Sequence, residues 1–261
     1  MSDALLRVHD LAVRFGSVQA LVGVSLAVDC GEIRGVIGPN GSGKTTLFNC
    51  ISGFYQPTRG EIRLEGRRLT GLPRHRMAAL GIGRTFQNLA LFPTLTVCEN
   101  ILVGAHCLGR SGFLANALRL SRVREEERGA RGRMSVLLEV LDLAPFARTP
   151  AVDIPFAVAK RVELARALIG APKLLLLDEP ASGLNHAEVA ALEGLLRRIR
   201  AQFAVSIVLV EHHMNLVMRV SDRVAALEMG RKIADGTPQT VCRDPEVIRA
   251  YLGETGHAAA A

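Results

Sequence analysis

An α/β fold with an inserted α-helical segment is what this 261-residue sequence predicts. Three observations predict it. A strand pattern, Glu32–Ile37, enters a glycine-rich stretch, Gly38–Gly43, and emerges into a helical pattern. An apolar run, Leu174–Leu177, ends in the acidic pair Asp178-Glu179. Between the two, across about 86–160, strand signals fade and the apolar spacing turns helical.

The elements follow in order. Leu5–Phe15 alternates loosely and reads as a strand, Val22–Val28 as a second, with a turn at Asp29-Cys30-Gly31 before the third at Glu32–Ile37. Lys44–Ser52 reads as a helix with Leu47, Phe48 and Ile51 on one side. Pro57-Thr58-Arg59-Gly60 is a turn, followed by a short strand at Glu61–Leu64 and another turn near Gly66. Val97–Val103 and Met134–Leu141 read as helices, separated by the charged, glycine-punctuated Arg119–Arg133. Lys160–Ile169 is a helix that stops at Gly170 with Pro172 beyond. After the Leu174–Leu177 strand come a helix at Ala187–Ala201, a strand at Ser206–Val210, terminal strands at Arg223–Leu227 and Lys232–Asp235 around a Met229-Gly230 turn, and a last helix at Pro245–Leu252. The expected organisation is one domain over 1–255, with 86–160 inserted in the α/β core and 256–261 a disordered tail.

A hydrophobic content of 49% excludes wholesale disorder. No apolar run approaches the ~20 residues of a membrane span. The N-terminal MSDALLRVHD carries Asp3, Arg7 and Asp10 and no apolar stretch, so no secretory signal is expected. The five cysteines form no CxxC and read as reduced core thiols. The formal charge of +7 leaves nucleic acid, an anionic membrane surface and phosphate ligands open.

Gly38-Pro39-Asn40-Gly41-Ser42-Gly43-Lys44-Thr45 matches G-x-x-x-x-G-K-[ST]. Glycines let a backbone curl round an anion so that successive N–H groups point inward, and the following helix adds its positive end. Lys44 then reaches the β- and γ-phosphates, the Thr45 hydroxyl ligates Mg²⁺, and Thr46 adds a contact to the α-phosphate. Strand ends such as Asp178-Glu179 lie beside the phosphate loop in P-loop NTPase folds, where Asp178 would hold Mg²⁺ and Glu179 would polarise the attacking water. A GTPase would need a base-reading N-K-x-D, which the sequence lacks. The adjacent His212 and His213 do not face one metal position together, and no cysteine cluster accompanies them.

From about Leu5 to Gly253 the chain resembles an ATP-binding cassette (ABC) ATPase domain, which implies a P-loop NTPase core with a mixed sheet flanked by helices, an inserted α-helical subdomain and a small antiparallel β region. Gln87 in RTFQN resembles the family's Q-loop glutamine, implied to sense Mg²⁺ and to couple to a membrane subunit. His212 in LVEHHM resembles the switch histidine that touches the γ-phosphate, and Ser182-Gly-Leu-Asn185 the D-loop. Phe15 is similar to the aromatic that stacks on adenine; Tyr55 and Tyr251 sit elsewhere in the pattern. The strings FNCISGFYQPTRGEIRLEG, GIGRTFQNLALFPTLTVCENILVG and DPEVIRAYLG resemble the longer-insert ATP-binding subunit of branched-chain amino acid importers. The resemblance implies ATP and Mg²⁺ as ligands. Its implied partners are two membrane-spanning permease subunits, a second cassette subunit and a periplasmic or extracellular solute-binding protein, with no nucleic acid. It puts the chain at the cytoplasmic face of the plasma membrane, with Leu89–Phe92 in the groove that grips the permease or in the subdomain core. A soluble ABC protein of translation or repair would carry two cassettes or a sustained coiled coil, and this chain has neither.

One motif departs from the family. Arg161-Val-Glu-Leu-Ala-Arg-Ala-Leu168 keeps the RxxxARAL pattern, but Ile154-Pro-Phe-Ala-Val-Ala159 before it carries Ala157 where the signature glycine belongs, and Val158 and Ala159 replace polar residues. In the family, that signature closes over the ATP held by a partner's phosphate loop. Two readings follow: a heterodimer in which this chain's loop works against a partner's intact signature, or a regulatory cassette that binds ATP with little hydrolysis. The charge is also localised. His106–Arg133 holds seven arginines against three glutamates, and Glu61–Arg76 five against two, so these segments carry the whole excess. The first, by resemblance, lies towards the membrane subunits, where an anionic leaflet or plain solvation would suit it.

Overall fold

Strand alternation organises the molecule. In the computed structural model, which describes residues 4–85, 89–105 and 121–257 (of 121–127 and 252–257 only the backbone course), three strands are buried at every position: β3 (Ile33–Ile37), β7 (Leu174–Asp178) and β8 (Ser206–Val210). Their residues divide between two cores. Ile33, Ile37, Leu175, Leu177, Ile207 and Leu209 face one, and Val36, Leu174, Leu176, Val208 and Val210 the other. This is the period-2 pattern of a sheet covered on both faces.

The sheet has six strands in the order β10-β9-β3-β8-β7-β6, with β6 at Ile82–Arg84, β9 at Arg223–Glu228 and β10 at Arg231–Gly236. All pairings are parallel except the β9–β10 hairpin, so the sheet is mixed, as expected. A second, four-stranded antiparallel sheet has the order β2-β1-β4-β5, formed by β1 (Leu6–Phe15), β2 (Val18–Val28), β4 (Arg59–Leu64) and β5 (Arg67–Arg68). Helix α1 (Lys44–Ile51) lies in the core beneath it, burying Leu47, Phe48 and Ile51 as the spacing predicts. Helix α2 is His75–Ala79.

The chain between β6 and β7 is helical among the described residues. It comprises α3 (Val97–Val103), α4 (Ser121–Val140), α5 (Phe156–Leu168) and two 3₁₀ turns. Helix α6 (His186–Phe203) and α7 (Met214–Val220) flank the sheet, and α8 (Pro238–Cys242) and α9 (Pro245–His257) end the chain.

Four boundaries differ from the sequence reading by four residues or more. The strand expected from Val22 begins at Val18, because Phe15 pairs with Val18 across a tight turn. The helix expected from Met134 begins at Ser121, because the charged stretch before it is rich in arginine and glutamate, good helix formers that outweigh Gly129 and Gly132. The helix expected from Lys160 begins at Phe156, directly after Pro155, a residue that cannot sit inside a helix but suits its start. The α9 backbone runs to His257, two residues into the expected tail, and 258–261 lie outside the described residues. The short β5, α2, β6, α7 and α8 are too brief to leave a periodic signal.

Candidate functional site

Register brings the candidate residues together. Val36 of β3 pairs with Val210 of β8, which pairs with Asp178 of β7, so three carboxyl ends lie level. Beyond them follow Gly38, Glu211-His212 and Glu179 respectively, at the sheet edge where open α/β sheets bind ligands.

The first of these ends curls into the glycine-rich loop. Gly38 and Gly43 have φ of 150° and 104°, a region that L side chains rarely adopt. Each is also hemmed in: a Cβ on Gly38 would strike the Leu227 carbonyl, and one on Gly43 would lie 2.7 Å from the Ala20 carbonyl oxygen. Pro39 and Asn40 lie between them, Gly41 is open, and Ser42 is buried. The Lys44 ammonium turns back into the loop, donating to the Gly38 and Pro39 carbonyls at 2.7 Å each. Thr45 is exposed and Thr46 half-buried at the first turn of α1. A loop whose own carbonyls hold the lysine is one in which an anion's oxygens would take their place.

The acidic end of β7 divides into two environments. Asp178 is buried; its Oδ2 accepts from Arg84 at 3.1 Å, while its buried Oδ1 has no hydrogen-bond partner among the described residues. Burial pushes the Asp178 carboxyl up from the usual range, Arg84 draws it back, and the Glu179 charge adds to the rise. A buried carboxylate oxygen left over by its neighbours, and the exposed Thr45 hydroxyl in the first turn of α1, are the oxygen donors a hard cation takes, so the residues fit Mg²⁺.

Glu179 has φ of 49°, an uncommon conformation for a residue with a side chain, fixed by its N–H donating to the Val210 carbonyl at 2.9 Å. The carboxylate meets His212, Oε1 to Nε2, at 2.6 Å. Two residues that the sequence singled out separately thus form one hydrogen-bonded pair. Glu211, buried behind them, accepts from the N–H groups of Ala181, His212 and His213 at 2.6, 3.0 and 3.2 Å. It ties the chain after β7 to the chain after β8. The segment Ser182-Gly-Leu-Asn185 follows, and Asn185 caps α6 through a reciprocal box with Glu188.

Sequence reasoning missed Arg84 and Glu211. Arg84 donates to Asn49 Oδ1 at 2.8 Å and to Ser52 Oγ, both of the α1 segment, as well as to Asp178. It joins the helix after the phosphate loop to the acidic strand end. Its sequence signal was weak, an arginine on a three-residue strand. Glu211 had a readable signal: like Asp178-Glu179, it closes a buried apolar strand.

Gln87 lies outside the described residues, as do Phe86 and Asn88, and most of the basic segment 106–133 is likewise outside or given by backbone alone. Phe15 is 47% exposed and meets Tyr55 edge to face, ring centroids 5.1 Å apart, so a tyrosine set aside from the pattern adjoins the stacking candidate. Leu91 packs against the core and Phe92 is exposed. At the departed signature, Ala157 and Val158 fall in the first turn of α5, and the Val158 side chain packs into the core rather than facing outward.

A family profile described as ABC transporter matches residues 21–182, and one described as branched-chain amino acid ATP-binding cassette transporter matches 231–257. The chain is 43% identical over 254 residues to the high-affinity branched-chain amino acid transport ATP-binding protein BraF of Pseudomonas aeruginosa, covering 97% of this chain and 100% of the relative. Identity to LivG of Escherichia coli, which carries the same description, is 42% with the same coverage. Identity to the methionine import ATP-binding protein MetN of Rhizobium etli is 36%, over 97% of this chain and 67% of the relative. Among solved structures, the ADP conformation of an ATP-binding cassette of an ABC transporter superposes with a TM-score of 0.82 at 29% identity, covering 96% of this chain and 99% of that one.

Proposed function

The chain belongs to the ABC transporter family of ATP-hydrolysing, ATP-binding subunits, and from that premise we propose that it powers import of branched-chain amino acids or closely related solutes. The observation that carries the activity is the convergence of Lys44, Asp178, Glu179 and His212 at one sheet edge, with Glu179 and His212 hydrogen-bonded. The match of 231–257 to the branched-chain profile, together with near full-length identity to BraF and LivG, supports the cargo.

In this reading ATP lies with its phosphates in the Gly38–Gly43 loop, and Lys44 leaves the loop carbonyls for the β- and γ-phosphates. Phe15 stacks on adenine. Thr45, Asp178 and Gln87 hold Mg²⁺, which when bound supplies positive charge against the phosphates. Glu179 orients the attacking water, and His212 both holds the Glu179 carboxylate and reaches the γ-phosphate. A second cassette docks head to tail and its signature helix closes the site. Two permease subunits and a periplasmic or extracellular solute-binding protein complete the assembly at the cytoplasmic face of the plasma membrane. No described helix is long and apolar enough to cross that membrane. The single-domain division, 1–255 with an inserted helical subdomain, belongs to the same proposal.

A second reading, a cassette that binds ATP with little hydrolysis, is favoured by Ala157 alone. Val158 buried in the core weakens it, since the first-turn N–H groups of α5 remain as donors whatever side chain stands there. Phosphate release separates the two. The heterodimer reading expects the chain to hydrolyse ATP slowly alone and at least tenfold faster with its partner cassette, and Glu179→Gln to remove that gain. No gain with an intact partner, or no loss with Glu179→Gln, sinks it.

A further inference from the structure

The C-terminal segment reaches the phosphate loop from behind at two levels. At the β9–β10 turn, the Gly230 N–H donates to the Ser42 carbonyl at 3.0 Å, and the Gly230 carbonyl accepts from Val22 at 2.8 Å. Further on, α9 carries Tyr251 to the loop's first residue, and its hydroxyl accepts the Gly38 N–H at 2.8 Å. Gly38 is buried, and the Tyr251 ring packs against the core. The general ABC match ends at residue 182, whereas Tyr251 falls inside the 231–257 match that distinguishes the narrower group.

A loop that binds phosphate through backbone N–H groups must hold its peptides in one orientation, and glycines are the residues least able to enforce that alone. Fixing the first peptide from outside removes competing loop conformations before the ligand arrives, which raises affinity. The Gly38 N–H points at Tyr251, away from any role in the cradle, so the tyrosine leaves the phosphate-binding donors unoccupied. We infer that Tyr251 is a positioning residue for the phosphate loop, coupling the C-terminal helix to nucleotide binding. The coupling is reciprocal: if α9 steadies the loop, a bound nucleotide steadies α9. This rests on the loop binding ATP as proposed above.

The test uses the full chain with Mg²⁺ and a fluorescent ATP analogue, together with amide hydrogen exchange. Tyr251→Phe keeps the ring and deletes the hydroxyl. It is expected to weaken analogue binding about three- to tenfold, the effect of losing one hydrogen bond to a buried group. In the unaltered chain the analogue is expected to slow exchange across 245–251, and in Tyr251→Phe this slowing is lost. Equal affinities for the two chains, or α9 exchange indifferent to the analogue, overturns the inference while leaving ATP binding intact. Binding by neither chain overturns the ATP reading and the coupling with it. Should Tyr251→Phe fail to fold, exchange in the unaltered chain decides alone.

Discussion

Every residue of β3, β7 and β8 is buried, whereas among the described side chains of α4 only Leu137 is. The sheet that carries the site is held by apolar packing on two faces, and of its buried ionic links among the described residues, Arg34 pairs with Glu32 and Asp235 away from the site, while Arg84 with Asp178 runs through the site itself. The helical insert is held at its start by polar groups. Thr96 and Glu99 cap α3 reciprocally, and the fully buried Asn100 donates to the carbonyls of Phe92, Leu95 and Thr96 and accepts from the Phe92 N–H. The lesson is that the sheet positions the chemistry, while the insert, which packs Val97, Ile101, Leu137, Leu141 and Leu143 against the core, adds at its start directional bonds that can be broken without unmaking that core.

The largest effect is expected on the core side. Arg84→Ala leaves Asp178 buried without its cation and cuts the tie to Asn49 and Ser52. The expected loss of stability is about 3–5 kcal/mol, typical of stranding one partner of a buried ion pair. Equilibrium urea unfolding measures it. A loss under about 1 kcal/mol would mean that Asp178 is not braced by Arg84.

That contrast also explains what could be read from sequence. The sheet was legible because full burial on two faces writes continuous apolar runs: Leu174–Leu177 and Ser206–Val210 were found within a residue. The phosphate loop was legible because its chemistry needs glycines and a lysine at fixed spacing. The start of α4 was not, because a solvated helix shows only propensity, and two glycines masked it. Arg84 and Glu211 were missed for a different reason. Their partners are backbone and side-chain groups that sequence distance hides: 94 residues separate Arg84 from Asp178, and 30 separate Glu211 from Ala181.

On the insert side, Asn100→Ala should cost about 1–3 kcal/mol, since it takes the acceptor from the Phe92 N–H and the second donor from the Phe92, Leu95 and Thr96 carbonyls, which keep their backbone partners. The expected signature is local. Amide exchange should accelerate across α3 and the turn before it, while β3, β7 and β8 keep their protection. Acceleration spread evenly through the sheet would show that the two halves unfold as one unit and would dissolve the contrast.

The smallest effect lies where the halves meet. Asp142, just after α4, accepts from Arg198 of α6 at 2.8 Å and lies 3.5 Å from Arg161 of α5. The hydrogen bond from Arg198 lowers the Asp142 carboxyl below its usual range; partial burial opposes it, and the Arg198 and Arg161 charges add to the lowering. A lowered folded-state value means that the stabilisation is present above the unfolded value of about 3.9 and disappears as pH falls through the folded one. Both side chains are about half exposed, so solvent limits the contribution to about 0–1 kcal/mol. Asp142→Asn isolates the charge, because Asp142 has φ of 53° and asparagine tolerates that conformation as well as aspartate does. The stability difference between the two chains should therefore be measurable at pH 7 in low salt. It should shrink in about 0.5 M salt, where screening is nearly as short as the pair itself, and vanish as pH falls below the carboxyl's titration. A difference unchanged by salt and pH would assign Asp142 to backbone geometry, and the insert would then rest on the core without an ionic contact between Asp142 and Arg198.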